Sequence, residues 1–66
     1  SDALNIVTRY IDDAVMLNMG SVRIIHGKGS GVLREEIQKY LRSIPGLSVS
    51  DEDIRNGGTG VTIVKL

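Results

Sequence analysis

Between Ala3 and Met19 apolar residues recur at three- and four-residue steps: Leu4, Val7, Tyr10 or Ile11, Ala14, Val15 and Leu17. That period puts them on one side of a helical wheel and predicts an amphipathic helix. Ser1 or Asp2 stands where the free N–H groups of its first turn need a cap, and Gly20 is placed to end it. Asp12, Asp13 and Asn18 fall outside the stripe and read as solvated. Neighbouring helix residues point about 100° apart, so Asp12 and Asp13 do not converge on one ion.

The period then changes. Val22-Arg23-Ile24-Ile25 is a β-branched run, apolar on both faces except for Arg23, and predicts a covered strand. Leu33, Ile37, Tyr40, Leu41 and Ile44 restore the helical spacing over about 32–43, and Pro45-Gly46 stops it. Leu47-Ser48-Val49 alternates as a short strand does. Asp51-Glu52-Asp53 reads as a solvated loop or exposed edge, without the alternating spacing of a calcium loop. Asn56-Gly57-Gly58 is a hairpin signal that calls for positive φ, and 61–66 closes the chain as a strand dense in β-branched residues.

Helix, strand, helix, strand, strand describes an α/β (α+β) domain. A right-handed crossover through the second helix makes strands 22–25 and 47–49 parallel, and a hairpin then makes the last strand antiparallel. One consequence concerns the glycines. The segment after Ile25 and the turn at 56–60 both leave the carboxyl ends of strands that point the same way, so both belong at one edge of the sheet, where α/β proteins place ligands.

Sixty-six residues make a single domain close to the smallest size that an apolar core alone can hold. Hydrophobic residues form 41% of the chain and two tyrosines are its only aromatics, so the core is aliphatic. There is no cysteine, which removes disulfides and thiolate metal sites, and no apolar run has the length of a membrane span or signal peptide. Cytoplasm is the expected location. The formal charge is zero but unevenly laid out: residues 1–19 sum to minus two, 20–49 to plus three and 50–66 to minus one. The positive excess surrounds the central glycines and suits an anionic partner.

Polar chemistry gathers at Ile25-His26-Gly27-Lys28-Gly29-Ser30-Gly31, between a strand and a helix start. Unpaired N–H groups and partial positive charge make such a junction a cradle for anions. The glycines allow close backbone approach, Lys28 adds a point charge, and Arg34 adds a planar fork. A cation so early in a helix opposes the dipole at a cost of about 0.3–1 kcal/mol, which a bound anion removes. Other readings stand beside this one. The spacing completes neither a Walker nor a dinucleotide fingerprint, His26 suits a strand end, Arg34 suits a snorkelling position at the border of the apolar stripe, and strand propensity accounts for Thr59 and Thr62.

Ile24-Ile25-His26-Gly27-Lys28-Gly29-Ser30-Gly31-Val32-Leu33-Arg34, together with Gly57-Gly58-Thr59-Gly60-Val61-Thr62-Ile63-Val64-Lys65-Leu66, closely resembles the small MutS-related (Smr) domain. The wording is most similar to the version at the C-terminus of bacterial MutS-like ATPases that suppress homologous recombination. The resemblance implies a two-layer sandwich, with two helices on one face of a small mixed sheet, similar to the C-terminal domain of translation initiation factor three. It implies binding of DNA or RNA and, in many members, endonuclease activity, while some relatives act at stalled ribosomes. On this likeness the nucleic-acid contacts are Arg23, His26, Gly27, Lys28, Gly29, Ser30, Gly31, Arg34, Gly58, Thr59 and Gly60, with His26 as the candidate catalytic proton carrier. The family's opening strand, Leu-Asp-x-Arg or Leu-Asp-x-His plus glycine, has no counterpart at Ser1-Asp2-Ala3. The expectation is therefore a truncated tail domain of a larger, homodimeric protein, with its acidic catalytic residue elsewhere.

Two functions follow from these features. One is a nucleic-acid-binding domain that nicks DNA or RNA in its full-length form; the other is a non-catalytic module that docks on ribosomes or proteins during stalled-ribosome rescue. No cofactor is expected within the domain, a divalent metal is the candidate helper in cleavage, and ATP belongs to the expected upstream ATPase region. No membrane partner is expected.

Overall fold

A computed structural model of the chain describes residues 2–66. Ser1, one of the two candidate caps, lies outside the described residues, and Asp2 sits within the first helical turn, where a carboxylate complements the dipole. Helix α1 (Asp2–Met16) buries Val7, Ile11 and Ala14 of the stripe expected of it, whereas Val15 and Leu17, also expected there, are exposed. It ends earlier than Gly20. Asn18 takes φ 56°, its N–H donates to the Val15 carbonyl at 3.1 Å, and the Met19 N–H donates to the Ala14 carbonyl at 3.0 Å. This bond pair is a Schellman cap, in which asparagine tolerates the left-handed conformation usually given to glycine. Asn18 thus has a structural task beyond solvation.

Strand β1 (Ser21–Ile25), helix α2 (Val32–Arg42), strand β2 (Ser48–Asp51) and strand β3 (Val61–Lys65) follow, with short 3₁₀ turns at Ile54–Asn56 and Gly58–Gly60. The expected order of elements holds, but the sheet order is β1-β3-β2. Val22 faces Val64 and Ile24 faces Thr62 across one antiparallel pairing; Val49 faces Val64 and Asp51 faces Thr62 across the other. The first two strands, expected to run parallel, are therefore not paired with each other. They point the same way, as the crossover requires, yet β3 lies between them, and the sheet expected to be mixed is antiparallel in both described pairings.

Burial explains the order. Val61, Thr62 and Val64 are all buried, as suits a central strand, whereas β1 alternates exposed and buried and β2 buries none of its residues fully. Arg23 in β1 and Ser48 and Ser50 in β2 are residues that an edge strand tolerates. β1 is also covered on one face only: Ile25 is 76% exposed, so the two-sided apolar reading of this strand is overturned. Val22, Ile24 and Val64 share one core with Val7, Ile11 and Ala14 of α1 and Ile37 and Leu41 of α2. Both helices thus lie on the same face of the sheet, giving the two-layer sandwich. Among the described residues no helix is long and apolar enough to cross a membrane.

Candidate nucleic-acid interface

Because β3 separates β1 and β2, its first residues meet the carboxyl ends of both neighbours. The two glycine segments are consequently in contact. The N–H groups of His26 and Gly27 both donate to the Gly60 carbonyl, at 3.2 and 3.0 Å. A Cβ at Gly60 would stand 3.3 Å from Lys28 Cγ and 3.5 Å from both the Gly27 carbonyl carbon and the Lys28 nitrogen, so the segments approach at a distance that favours glycine. Gly57, at φ 127°, is more constrained still: a Cβ there would be 2.7 Å from Val61 Cγ2. The expected shared edge is present, although a 3₁₀-rich connection replaces the simple hairpin turn.

The loop 26–31 folds back before α2. The Gly31 N–H donates to the Lys28 carbonyl at 3.0 Å, and Gly31, at φ 84°, is the residue that leads into the helix. It supplies no side-chain cap; Ser30 Oγ accepts only a long 3.5 Å bond from the Val32 N–H. The first turn of α2 therefore opens beside Gly27, Lys28, Gly29 and Ser30, all of them exposed. Gly58 is buried and Thr59 is exposed in the facing segment.

The three acids expected to be solvated each hold an arginine. Arg34 Nε and Nη2 donate to Asp51 Oδ1 and Oδ2 at 2.9 and 2.7 Å; Arg23 Nε donates to Glu52 Oε2 at 3.0 Å; Arg55 Nε donates to Asp53 Oδ1 at 3.2 Å. The Asp53 carboxylate also caps the first 3₁₀ turn by accepting the Arg55 N–H at 2.8 Å. Asp51 ends the edge strand β2, in keeping with the exposed-edge reading of this run. Two of the expected phosphate ligands are thus engaged internally. Arg34 uses its fork on Asp51, and Arg23, whose Nη2 also donates to the Asn56 carbonyl at 3.2 Å, lies on the sheet face turned away from the helices. Among the described residues Lys28 meets no carboxylate, so it is the loop's free charge.

These pairings set the local electrostatics. The Arg34 guanidinium, followed by the Gln38 amide, holds the Asp51 carboxyl down to about 2, and Asp51 in turn raises Arg34 above its ordinary value. The Arg55 side chain and its backbone N–H lower Asp53.

Sequence reasoning gave no site role to Gln38 or Thr62, the two residues that complete the arrangement. Gln38 Nε2 donates to Asp51 Oδ1 and to Thr62 Oγ1, both at 2.9 Å, and Thr62 Oγ1 stands 2.8 Å from His26 Nε2. Gln38 is 2% exposed and Thr62 0%. A polar residue at a strand position that alternates with Val64 onto the core face was the available signal for Thr62; nothing marked Gln38 among its charged neighbours. His26, half-buried, has its second nitrogen Nδ1 within 2.8 Å of the Gly27 carbonyl.

Among the described residues no three histidine, cysteine or carboxylate side chains are grouped so as to hold a metal ion.

Comparison with known proteins agrees with this architecture. The Smr domain family model matches residues 1–66. The Endonuclease MutS2 proteins of Bacillus cytotoxicus and Geobacillus kaustophilus are each 46% identical over 66 residues, covering 98% of this chain. The chain spans only 8% of the length of either. The crystal structure of the Smr domain of Thermus thermophilus MutS2 superimposes with a TM-score of 0.94 at 38% identity, covering 98% of this chain and 82% of that one. A match along the whole sequence, on the same two helices and sheet, means that the chain belongs to the Smr domain family.

Proposed function

We propose that this domain binds nucleic acid through its double-glycine edge and serves, within a longer protein, as part of a DNA- or RNA-nicking endonuclease. One observation carries the reading: in a chain matched end to end by the Smr family, the His26-Gly27-Lys28 segment is hydrogen-bonded to Gly60 beside the uncapped first turn of α2. Backbone N–H groups, a helix dipole and the unpaired Lys28 ammonium all favour a phosphate there. The relatives named as endonucleases support the nicking half of the proposal, and their much greater length is consistent with further machinery, ATP use included, in other parts of a longer protein. Suppression of recombination by a homodimeric cytoplasmic protein is the biological setting that this likeness favours.

The footprint is narrower than the sequence suggests. With Arg23 and Arg34 paired, initial capture of a phosphate falls to Lys28 and the loop amides, so binding is weak and its salt dependence is that of about one neutralised phosphate. Anisotropy titrations of single-stranded and duplex DNA and RNA over a range of salt concentrations test this. Lys28→Ala should weaken binding to all of them and lower the slope of log affinity against log salt by about one. Affinity indifferent to both salt and Lys28 would overturn the proposal. If capture of partners from lysate then resisted nuclease treatment, a protein-docking role would replace it.

A further inference from the structure

The hydrogen bonds around His26 admit one arrangement of protons. The Gly27 carbonyl can only accept, so His26 Nδ1 carries a hydrogen. At the far end, Asp51 accepts from Gln38 Nε2; turning that amide over would bring its oxygen against a carboxylate oxygen at 2.9 Å. Asp51 therefore fixes which end of the Gln38 amide points into the sheet, and the second hydrogen on Nε2 goes to Thr62 Oγ1. The Thr62 hydroxyl, fully buried, already accepts that bond and needs an acceptor for its own hydrogen. His26 Nε2, 2.8 Å away, is the acceptor the structure provides. The chain of donors thus runs from Gln38 to Thr62 to His26 to the Gly27 carbonyl, and it requires a neutral imidazole with its hydrogen on Nδ1.

We propose that Gln38 and Thr62 are positioning residues that lock His26 in the Nδ1–H tautomer, so that the ring braces the Gly27–Lys28 peptide of the binding loop. A peptide is planar, so a bond that holds the Gly27 carbonyl toward the imidazole also sets the direction of the Lys28 N–H, which points the opposite way. With both ring nitrogens engaged, His26 shapes the loop instead of carrying a proton to a phosphodiester. The proposal rests on the reading of the loop as a nucleic-acid site for its consequence, but the tautomer itself is independent of that reading. It also gives a reason for a glutamine and a threonine at positions where an apolar pair would fill the core.

Long-range nitrogen–proton NMR correlations of the 15N-labelled protein at neutral pH read the tautomer directly. The expected pattern is a pyrrole-type Nδ1 and a pyridine-type Nε2. In Thr62→Val and Gln38→Met the two nitrogen shifts should converge toward those of a free imidazole, while Thr62→Ser, which keeps the hydroxyl, should retain the wild-type pattern. In parallel, affinity for a labelled single-stranded oligodeoxynucleotide should fall about three- to tenfold in the first two variants and be preserved in the third. Gln38→Met acts from α2 and reads the same lock should Thr62→Val fail to fold. An Nε2–H tautomer in the wild type, or shifts indifferent to both substitutions, would overturn the lock. Convergent shifts with unchanged affinity would overturn the bracing of the loop. A locked tautomer in a protein that binds no oligonucleotide would support the lock and remove the proposed function instead.

Discussion

Helix α2 meets the sheet along two stretches of opposite character. Along one row Ile37 and Leu41 join Val22 and Val64 in the aliphatic core; along the adjacent row Arg34 and Gln38 meet Asp51 and Thr62. Each row has a step of four residues and the rows are offset by three, so one helix face carries both contacts. The aliphatic stretch gains free energy from area removed from water and is indifferent to direction. In the polar stretch every bond has a donor and an acceptor end, so it conveys an orientation from the Arg34–Asp51 pair to His26. No buried side-chain nitrogen or oxygen among the described residues lacks a partner, which is the condition under which a buried polar network is tolerated. The difference assigns stability to one stretch and the shape of the loop to the other.

Substitutions in the two stretches should separate these roles. Leu41 is 0% exposed, and Leu41→Ala should cost about 2–5 kcal/mol in urea denaturation, a large share of the roughly 5–15 kcal/mol typical of folded domains. Whatever remains folded should keep the wild-type His26 tautomer. Gln38→Leu should cost less, about 1–3 kcal/mol, because its bulk still fills the site while Thr62 loses its donor and Asp51 one of its three. That variant should nonetheless disturb His26 more. A Gln38→Leu protein less stable than Leu41→Ala would break the division, and a disturbed tautomer in Leu41→Ala would blur it.

The aliphatic stretch was legible in the sequence because periodicity records burial. Val7, Ile11 and Ala14, and then Ile37 and Leu41, lie on the expected stripes. The polar stretch was not. Gln38 looks like any surface residue between Ile37 and Lys39, and Thr62 is a good strand former wherever it sits. Asp51 was hidden in an acidic run whose sequence gives no sign of which arginine each acid will meet. Topology shows a similar split. Connectivity brought both glycine segments to one edge, since it fixes the direction of β1 and β2, but it does not fix which strand lies between them. The two-sided burial of β3 decides that, and the concentration of β-branched residues at 61–64 was its trace in the sequence. The loop 26–31 stands out in the sequence by its glycines and charges, yet the partners that neutralise Arg23 and Arg34 depend on tertiary contacts 29 and 17 residues away along the chain.

Two smaller effects sharpen the comparison at its polar end. Asp51 is held at about 2 in the folded protein against an ordinary 3.8, so its contribution to stability is complete above the ordinary value and is lost as the pH falls toward the lowered one. About a third of its side chain is exposed, and solvent screening keeps the contribution below about 1 kcal/mol. The urea midpoints of wild type and Asp51→Asn should therefore differ near neutral pH and converge between about pH 4 and pH 2. A difference that persists at the acid end would assign the effect to the Gln38 bond rather than to charge.

The Arg55–Asp53 pair supplies the opposite limit. Its arginine side chain is 85% exposed, it touches neither Gln38 nor Thr62, and the same run of acids holds it. If pairing as such stabilised this edge, losing Arg55 would resemble losing Arg34. If the value of Arg34 lies in orienting Asp51 and, through it, the Gln38 amide, Arg55→Ala should shift stability by no more than about 0.5 kcal/mol and leave the His26 tautomer unmoved. Arg34→Ala should disturb the tautomer. Equal effects of the two substitutions on the His26 nitrogen shifts would mean that charge alone, rather than the directed chain of bonds, governs the loop.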